Sequence, residues 1–339
     1  MKTRFDAAVF IGRFQPFHIG HLAVAERALA IAERVIIVVG SNGHPTTTRY
    51  PFRPEAVETY VRAALAEAFG DDAARVTIRH QPDVLYNDQT WIRSVQALVH
   101  AEVGLDARIT LIGHHKDASS YYLRLFPTWG TEGIDNVDGI NATDVRAHYF
   151  LGEDDAWRDR VPGAVASYLD AHRDDPDFVR IRDELEFVTA YRRQWDAAPY
   201  PPTFVTVDAV VVQSGHVLLV TRGAMPGKGQ LALPGGFVGE DERLLDGCLR
   251  ELREETRLKV PEPVLRGSLK GSAVFDAPHR SARGRTITHA YHFELRASEQ
   301  LPAVKGSDDA ARARWIPLGR LAELPLFEDH HSIVRYFVG

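Results

Sequence analysis

Two stretches of this 339-residue sequence concentrate side chains suited to phosphate chemistry. The first is Gly12-Arg13-Phe14-Gln15-Pro16-Phe17-His18-Ile19-Gly20-His21, which follows an apolar run at residues 7–11. His18 and His21 lie three apart, so both can face one way at the start of a helix. Free N–H groups and the positive dipole end at such a start suit phosphate oxygens. Gly12 permits close backbone approach, Gly20 leaves room between the histidines, and Arg13 adds a permanent cation. A helix-capping pair is the plainer reading of an isolated His-x-x-His. The whole run after a strand favours a pair that serves developing phosphate charge. Zinc would need more ligands nearby, and no nucleophilic triad has this spacing.

The second stretch is Gly236-Phe237-Val238-Gly239-Glu240-Asp241-Glu242, followed after seven residues by Arg250-Glu251-Leu252-Arg253-Glu254-Glu255-Thr256-Arg257-Leu258. On a helix, Glu251, Glu254 and Glu255 share one face, while Leu245, Cys248, Leu249, Leu252 and Thr256 form an apolar face. Three carboxylates together repel unless cations compensate. Mg²⁺ prefers oxygen ligands and substrate phosphates, so it is the natural compensator. Glu242 and Arg250 are placed for a loop-to-helix ion pair. A solvated acidic face bridged to Arg253 and Arg257 is the alternative for Glu-Glu alone. Downstream, Arg280 and Arg285 supply cations for a diphosphate or a ribose.

These stretches need a scaffold, and the surrounding pattern describes one. Short apolar runs at residues 7–11 and 35–39, and strand-like segments at 75–79 and 108–112, alternate with helical stretches after residue 22, at 55–69 and from Trp91. Strand–helix alternation of this kind predicts right-handed βαβ units and a parallel sheet, with ligands at the carboxyl ends of the strands. Residues 160–197 are helical and highly charged. Pro199, Pro201 and Pro202 then forbid helix and stiffen a linker. Beyond them the texture turns to strands at 204–212, 216–221 and 287–295 around a helix at 244–258. The expected domains are 1–196 and 204–339, joined by a linker at 197–203.

Composition narrows the function. The net charge is −6, with 45% apolar and 25% charged residues, which excludes a largely disordered chain and a generic polyanion binder. Cys248 is the single cysteine, so no intrachain disulfide framework exists. The apolar runs are too short to span a bilayer, and no signal core is present. A soluble cytoplasmic protein that binds neither nucleic acid nor membrane is expected, with a homo-oligomer left open.

The first stretch resembles the nicotinamide mononucleotide adenylyltransferase branch of the HxGH nucleotidyltransferases, which implies ATP contacts at Gly12, Arg13 and Phe14. Asn141-Ala142-Thr143-Asp144-Val145-Arg146 resembles that superfamily's Ser/Thr-x-x-Arg element, with Thr143 and Arg146 in its key places. A hydroxyl at a helix start and Arg146 one turn on can clamp a triphosphate. Arg49-Tyr50-Pro51-Phe52 looks like the Arg-x-Pro-Phe loop of archaeal-type adenylyltransferases, which implies that Arg49 also reaches phosphate. Tyr86-Asn87-Asp88-Gln89-Thr90-Trp91 resembles the nicotinamide pocket, with Asn87 at the mononucleotide and Trp91 stacked on the pyridine ring, core filling being its alternative. Within Gly113-His114-His115-Lys116-Asp117, Lys116 is the candidate for the mononucleotide phosphate or ribose.

The second stretch resembles the Nudix box, with one departure: Arg257 stands where the family has its late Gly. The resemblance implies metal ligands at Gly235, Glu251, Glu254 and Glu255, with Glu254 and Glu255 catalytic. It also implies a further acid or base before the last strand, for which Asp308 and Asp309 are candidates. Together the two resemblances imply an α/β protein, in which a parallel-sheet, Rossmann-like nucleotidyltransferase domain precedes a Nudix α/β/α sandwich. Such a chain looks like the bifunctional nicotinamide mononucleotide adenylyltransferase/ADP-ribose pyrophosphatases of bacteria. It would join ATP to nicotinamide mononucleotide to give NAD and pyrophosphate, and split ADP-ribose into AMP and ribose 5-phosphate. Mg²⁺, or Mn²⁺ in its place, is the expected cofactor of both domains. The rival readings are another HxGH transferase, acting on phosphopantetheine or a cytidylyl acceptor, and a second domain that senses ADP-ribose or cleaves another nucleoside diphosphate derivative.

Overall fold

The computed structural model describes residues 3–40, 46–82, 84–114, 123–134, 139–152, 154–306 and 310–339. Contacts divide the chain into two units, Met1–Leu185 and Glu186–Gly339. Lys116, Asp308 and Asp309 lie outside the described residues.

In the first unit the elements run β1 (Phe5–Gly12), α1 (Ile19–Ile31), β2 (Ala32–Val39), α2 (Pro54–Phe69), β3 (Val76–His80), α3 (Asp88–Val103), β4 (Ile109–His114), β5 (Gly130–Ile134), α4 (Ala142–Leu151) and α5 (Gly163–Ala171). The strands form a parallel sheet in the order β3-β2-β1-β4-β5. Along β1, Ala8 and Phe10 pack into one core cluster while Ala7 and Val9 pack into another. Alternate side chains point to opposite faces, and both faces are covered, so the strand is apolar throughout. The chain order reverses beside β1, where β2 and β4 flank it. Ligand sites lie outside strand carboxyl ends at such a switch point, and here those ends are Gly12 and His114.

The boundary between the units falls inside α6 (Pro176–Arg193), which is one continuous helix. The prolines at 199–202 follow it by a few residues. Packing partners change along α6 before the helix itself stops: Tyr191 lies 6.1 Å from the ring of Phe204 in the second unit.

The second unit runs β6 (Thr203–Gln213), β7 (His216–Arg222), β8 (Leu231–Ala232), β9 (Gly235–Phe237), α7 (Leu244–Thr256), α8 (Glu262–Gly267), β10 (Leu269–Phe275), β11 (Arg285–Glu294), β12 (Ala310–Pro317) and α9 (His330–Val338). Its mixed sheet has the order β10-β11-β6-β7-β12, with β8 on β7 and β9 on β6. Helix α7 buries Cys248, Leu249, Leu252 and Thr256 against β6 and its neighbours, so the apolar face is where the spacing put it. Among the described residues no helix is long and apolar enough to cross a membrane.

Arg257, the residue in the place of glycine, ends α7 in the left-handed conformation at φ 46°, ψ 34°. Its N–H still closes onto the carbonyl of Arg253 at 2.9 Å, so the helix exit is kept despite the side chain. A β-carbon there is strained by roughly 1 kcal/mol. Arg257→Gly should therefore stabilise the second unit by about 0.5–1 kcal/mol. Chemical denaturation of the full chain measures this; an equal or lower midpoint for that unit would show that contacts of the arginine side chain outweigh the strain.

Candidate functional site

The first site is assembled where β1 ends. His18 is the N-cap of α1, and its N–H donates to Nδ1 of His21 at 3.2 Å. Because Nδ1 accepts, a neutral His21 carries its proton on Nε2. The two rings stack with centroids 3.6 Å apart. Phe10, Phe14 and Phe17 surround His21 at 5.9, 5.0 and 5.4 Å, which fixes its plane. The pair is thus both a cap and a rigid imidazole stack at a helix start.

Phe14 corrects one expectation. Its side chain is 1% exposed and its φ is 51°. The ring fills the space over Gly12, where a β-carbon would come within 2.8 Å of it. Its side chain supports the loop from below, so the expected ATP contact is open only to its backbone, and the small size of Gly12 makes room for that ring. Gly20 serves His18 in the same way, since a β-carbon there would lie 3.1 Å from the His18 ring.

Gln15, to which the sequence assigned no role of its own within its motif, joins the pieces. Its side chain is buried and spans the backbone of Phe52, donating from Nε2 to the carbonyl and accepting at Oε1 from the N–H, both at 2.9 Å. This pins the loop that carries Arg49 to the loop that carries Arg13. The guanidinium carbons of Arg13 and Arg49 lie 4.9 and 5.6 Å from the centroid of Tyr50. Arg146 donates to the Gln15 carbonyl at 2.6 Å and to Thr143 Oγ1 at 3.2 Å. Burial, and then the nearby charge of Arg49, pull its pKa down to about 10. Asn141 takes over the capping of α4 by accepting from the N–H of Asp144, which leaves Thr143 for Arg146. Helix α3 is capped by Asn87, whose side chain accepts from the N–H of Thr90, so this candidate has a structural task. Trp91 is half-buried on the core cluster of the other sheet face, 6.0 Å from Phe126.

The second site is built on α7 and β9. Arg250 holds Glu242 through two hydrogen bonds of 3.0 and 2.7 Å, as the spacing required. Those bonds, with one from the Gly239 N–H, hold the Glu242 pKa down at about 2. Nη1 of Arg250 also contacts Glu251 and Glu254, each at 2.9 Å. Glu255 accepts from the N–H of Gly235 at 3.0 Å. Burial, with the charge of Glu251, raises its pKa to about 8 against that hydrogen bond. Glu251 is likewise raised by burial. A β-carbon on Gly236 would meet the Glu251 carboxylate at 2.6 Å, and one on Gly235 would meet the Val207 carbonyl at 2.1 Å. Both glycines are therefore needed for the strand to approach the acidic face.

The four expected metal ligands are neighbours here without forming a closed set. Among the described residues no three His, Cys, Asp or Glu side chains are gathered in metal-holding geometry. Arg250 instead stands between Glu251 and Glu254, one positive charge shared by two negative ones. The donor chemistry nevertheless fits a hard cation, because it is all oxygen and two of its carboxylates are held in places that disfavour bare charge.

Arg280 is a second correction. It is buried and donates to both oxygens of Asp329, at 2.9 and 2.7 Å, so it braces the segment before α9 and is closed to substrate. Arg285 pairs with Asp276 beside β10. Besides Arg250, Arg222 lies near Glu255 and Arg283 near buried Asp208, both missed because isolated arginines in loops and strand ends carry no pattern. Arg222 acts on the charge of Glu255, and both arginines act on buried Asp208.

Comparison with known proteins agrees with this two-site arrangement. Residues 202–337 match the NUDIX domain family, and residues 9–119 match the Cytidylyltransferase-like family. A nicotinamide/nicotinic acid mononucleotide adenylyltransferase of Acinetobacter baylyi is 40% identical over 151 residues, 44% of this chain and 78% of that protein. An ADP-ribose pyrophosphatase of Methanocaldococcus jannaschii is 34% identical over 134 residues, 40% of this chain and 72% of that protein. A crystal structure of a bifunctional NMN adenylyltransferase/ADP ribose pyrophosphatase from Francisella tularensis, complexed with AMP and manganese ion, superposes with a TM-score of 0.92 at 34% identity and covers 98% of both chains. The chain belongs to this bifunctional family. Members of the bifunctional NMN adenylyltransferase/ADP-ribose pyrophosphatase family place both activities on one chain, and both scaffolds are present here in that order.

Gln15→Ala tests the pin in the first site. It leaves the buried Phe52 N–H and carbonyl without their partner, which costs about 2 kcal/mol. The first unit should melt earlier, and the Phe52 amide should lose its protection against hydrogen exchange. Unchanged protection would mean that the loop is held elsewhere.

Proposed function

We propose that the first unit transfers AMP from ATP to nicotinamide mononucleotide, giving NAD and pyrophosphate, and that the second hydrolyses ADP-ribose to AMP and ribose 5-phosphate. The observation that supports the transferase most directly is the clustering of Arg49 and Arg146 beside the imidazole stack at the end of β1. Burying one guanidinium near another is unfavourable until an anion arrives, and a triphosphate is an anion of the right size and charge. His18 and His21, with Arg13, Arg49 and Arg146, face the charge that grows on departing pyrophosphate. No protein nucleophile is required, because positioning and charge stabilisation are what adenylyl transfer needs. Asn87 and Trp91 wall the mononucleotide side, with Lys116 as its phosphate partner.

In the second unit Glu251, Glu254, Glu255 and Gly235 would hold a divalent cation, for which we propose Mg²⁺, with Mn²⁺ as a substitute. The cation, when bound, supplies charge neutralisation on the diphosphate and a more acidic water. Arg250 fixes α7 to the Glu242 loop and keeps the carboxylates apart before binding. Glu255 is oriented by the Gly235 N–H. In the first unit Mg²⁺ would be carried on the triphosphate of ATP and would share the neutralisation of its charge with Arg13, Arg49 and Arg146. A cytoplasmic location fits a single, buried thiol.

His18→Ala or Arg146→Ala should lower NAD formation by about 10²-fold, roughly 3 kcal/mol of transition-state stabilisation. ADP-ribose cleavage by the same preparations should persist. Loss of both activities in a folded variant would contradict two separate sites.

Glu254→Gln deletes one charge from α7 while keeping its shape. Turnover of ADP-ribose should disappear and NAD formation should remain. Mg²⁺ should raise the melting temperature of the second unit more in the wild type than in the variant, by linkage to binding. Wild-type turnover by this variant would make the acidic face an ordinary solvated surface.

A further inference from the structure

We propose that Phe237 and Arg283 form a clamp for the aromatic base of the nucleoside diphosphate cleaved in the second unit. This rests on the hydrolase reading and adds a specificity element to it. Phe237 ends β9 directly after Gly235 and Gly236, and its carbonyl accepts from Arg250 at 3.3 Å. Its backbone is therefore tied to the carboxylate helix. Its ring is nevertheless 41% exposed, a large apolar surface left open beside a charged site. Phe237 follows Gly235, whose N–H orients Glu255, by two residues of the same strand, about 7 Å along the backbone.

Neighbouring groups give the ring a fixed pose. Phe204 meets it edge-on, with centroids 5.8 Å apart and planes at 73°. The guanidinium carbon of Arg283 lies 5.0 Å from its centroid. Arg283 itself is anchored through its N–H to Ser281 Oγ at 3.3 Å. Its side-chain Nε is buried and has no hydrogen-bond partner among the described residues. The buried Nε keeps the guanidinium fixed against the ring, and among the described residues no carboxylate pairs with it, so its outer nitrogens are the donors that a base or ribose acceptor beside Phe237 would meet. Arg280 is committed to Asp329 and Arg285 to Asp276. Arg283 is thus the cation of residues 280–285 that points to a ligand. Stacking on Phe237 and donation from Arg283 together recognise a flat, acceptor-bearing ring, whereas a bare sugar phosphate satisfies neither.

The test is steady-state kinetics of ADP-ribose hydrolysis with Mg²⁺ on the full chain. Phe237→Ala should raise KM about tenfold, the worth of one stacked base, with kcat changed less than about threefold and NAD formation intact. Phe237→Trp should keep the wild-type KM, which separates stacking from folding. Arg283→Lys should raise KM severalfold, since a point charge replaces the planar fork. Inhibition by AMP should weaken in Phe237→Ala in step with KM, while inhibition by ribose 5-phosphate should not. An unchanged KM in Phe237→Ala, or equal weakening of both inhibitors, would overturn the clamp and leave the hydrolase reading standing. Wild-type protein that leaves ADP-ribose intact would instead remove the hydrolase reading, and the clamp with it.

Discussion

Arg146 is buried close to Arg49, and Glu255 is buried close to Glu251. Like charges held at short range outside bulk water repel, so each unit needs a framework stiff enough to resist their separation. The framework is mostly backbone. Arg146 is seated on the carbonyl of Gln15, and Glu255 on the N–H of Gly235. Main-chain dipoles cannot swing away as side chains can, so they keep the charges aimed at one place. What remains uncompensated is the affinity for an ion of opposite sign, anionic in the first unit and cationic in the second.

Close approach is the other half of that framework, and it explains where small residues sit. Gly12 leaves room for the Phe14 ring that underlies the histidine stack. Gly235 and Gly236 let β9 run against Asp208 and Glu251, at distances no β-carbon tolerates. Such positions are constrained by the protein's own side chains before any ligand is considered. A glycine in a phosphate-type loop thus carries two meanings, and here the internal one is visible at Gly12.

Most of the fold was legible because its signals are periodic or local. The doubly buried strands read as unbroken apolar runs, and α7 showed its core face and its acidic face through spacing alone. The pairing of Glu242 with Arg250 was legible for the same reason, since a loop feeding directly into a helix has few ways to run. Contacts that close over long sequence separation were not legible. Gln15 grips Phe52 thirty-seven residues away, and Arg280 grips Asp329 forty-nine residues away. Gln15 and Phe52 lie in separate motifs, and nothing in either motif shows that they touch. Proline marks where a helix must stop, while packing partners can change in mid-helix, as they do in α6.

The three arginines of residues 280–285 show why a run of cations does not by itself define a binding surface. All three have the same charge and nearly the same sequence surroundings. Arg280 lies in a buried pocket with a bidentate carboxylate, an arrangement stable only while both partners remain. Arg285 is half-exposed and pairs across a hairpin mouth, where an ion pair contributes little. Arg283 lies between these extremes, over an exposed ring and close to acids that it does not bridge. Fully paired charge rigidifies, and fully solvated charge is screened. Charge that is partly buried and only partly matched interacts strongly with whatever ligand completes it. Arg49 and Arg146 meet that condition in the first unit by a different route, which makes incomplete pairing a better guide to these two sites than the density of charged residues.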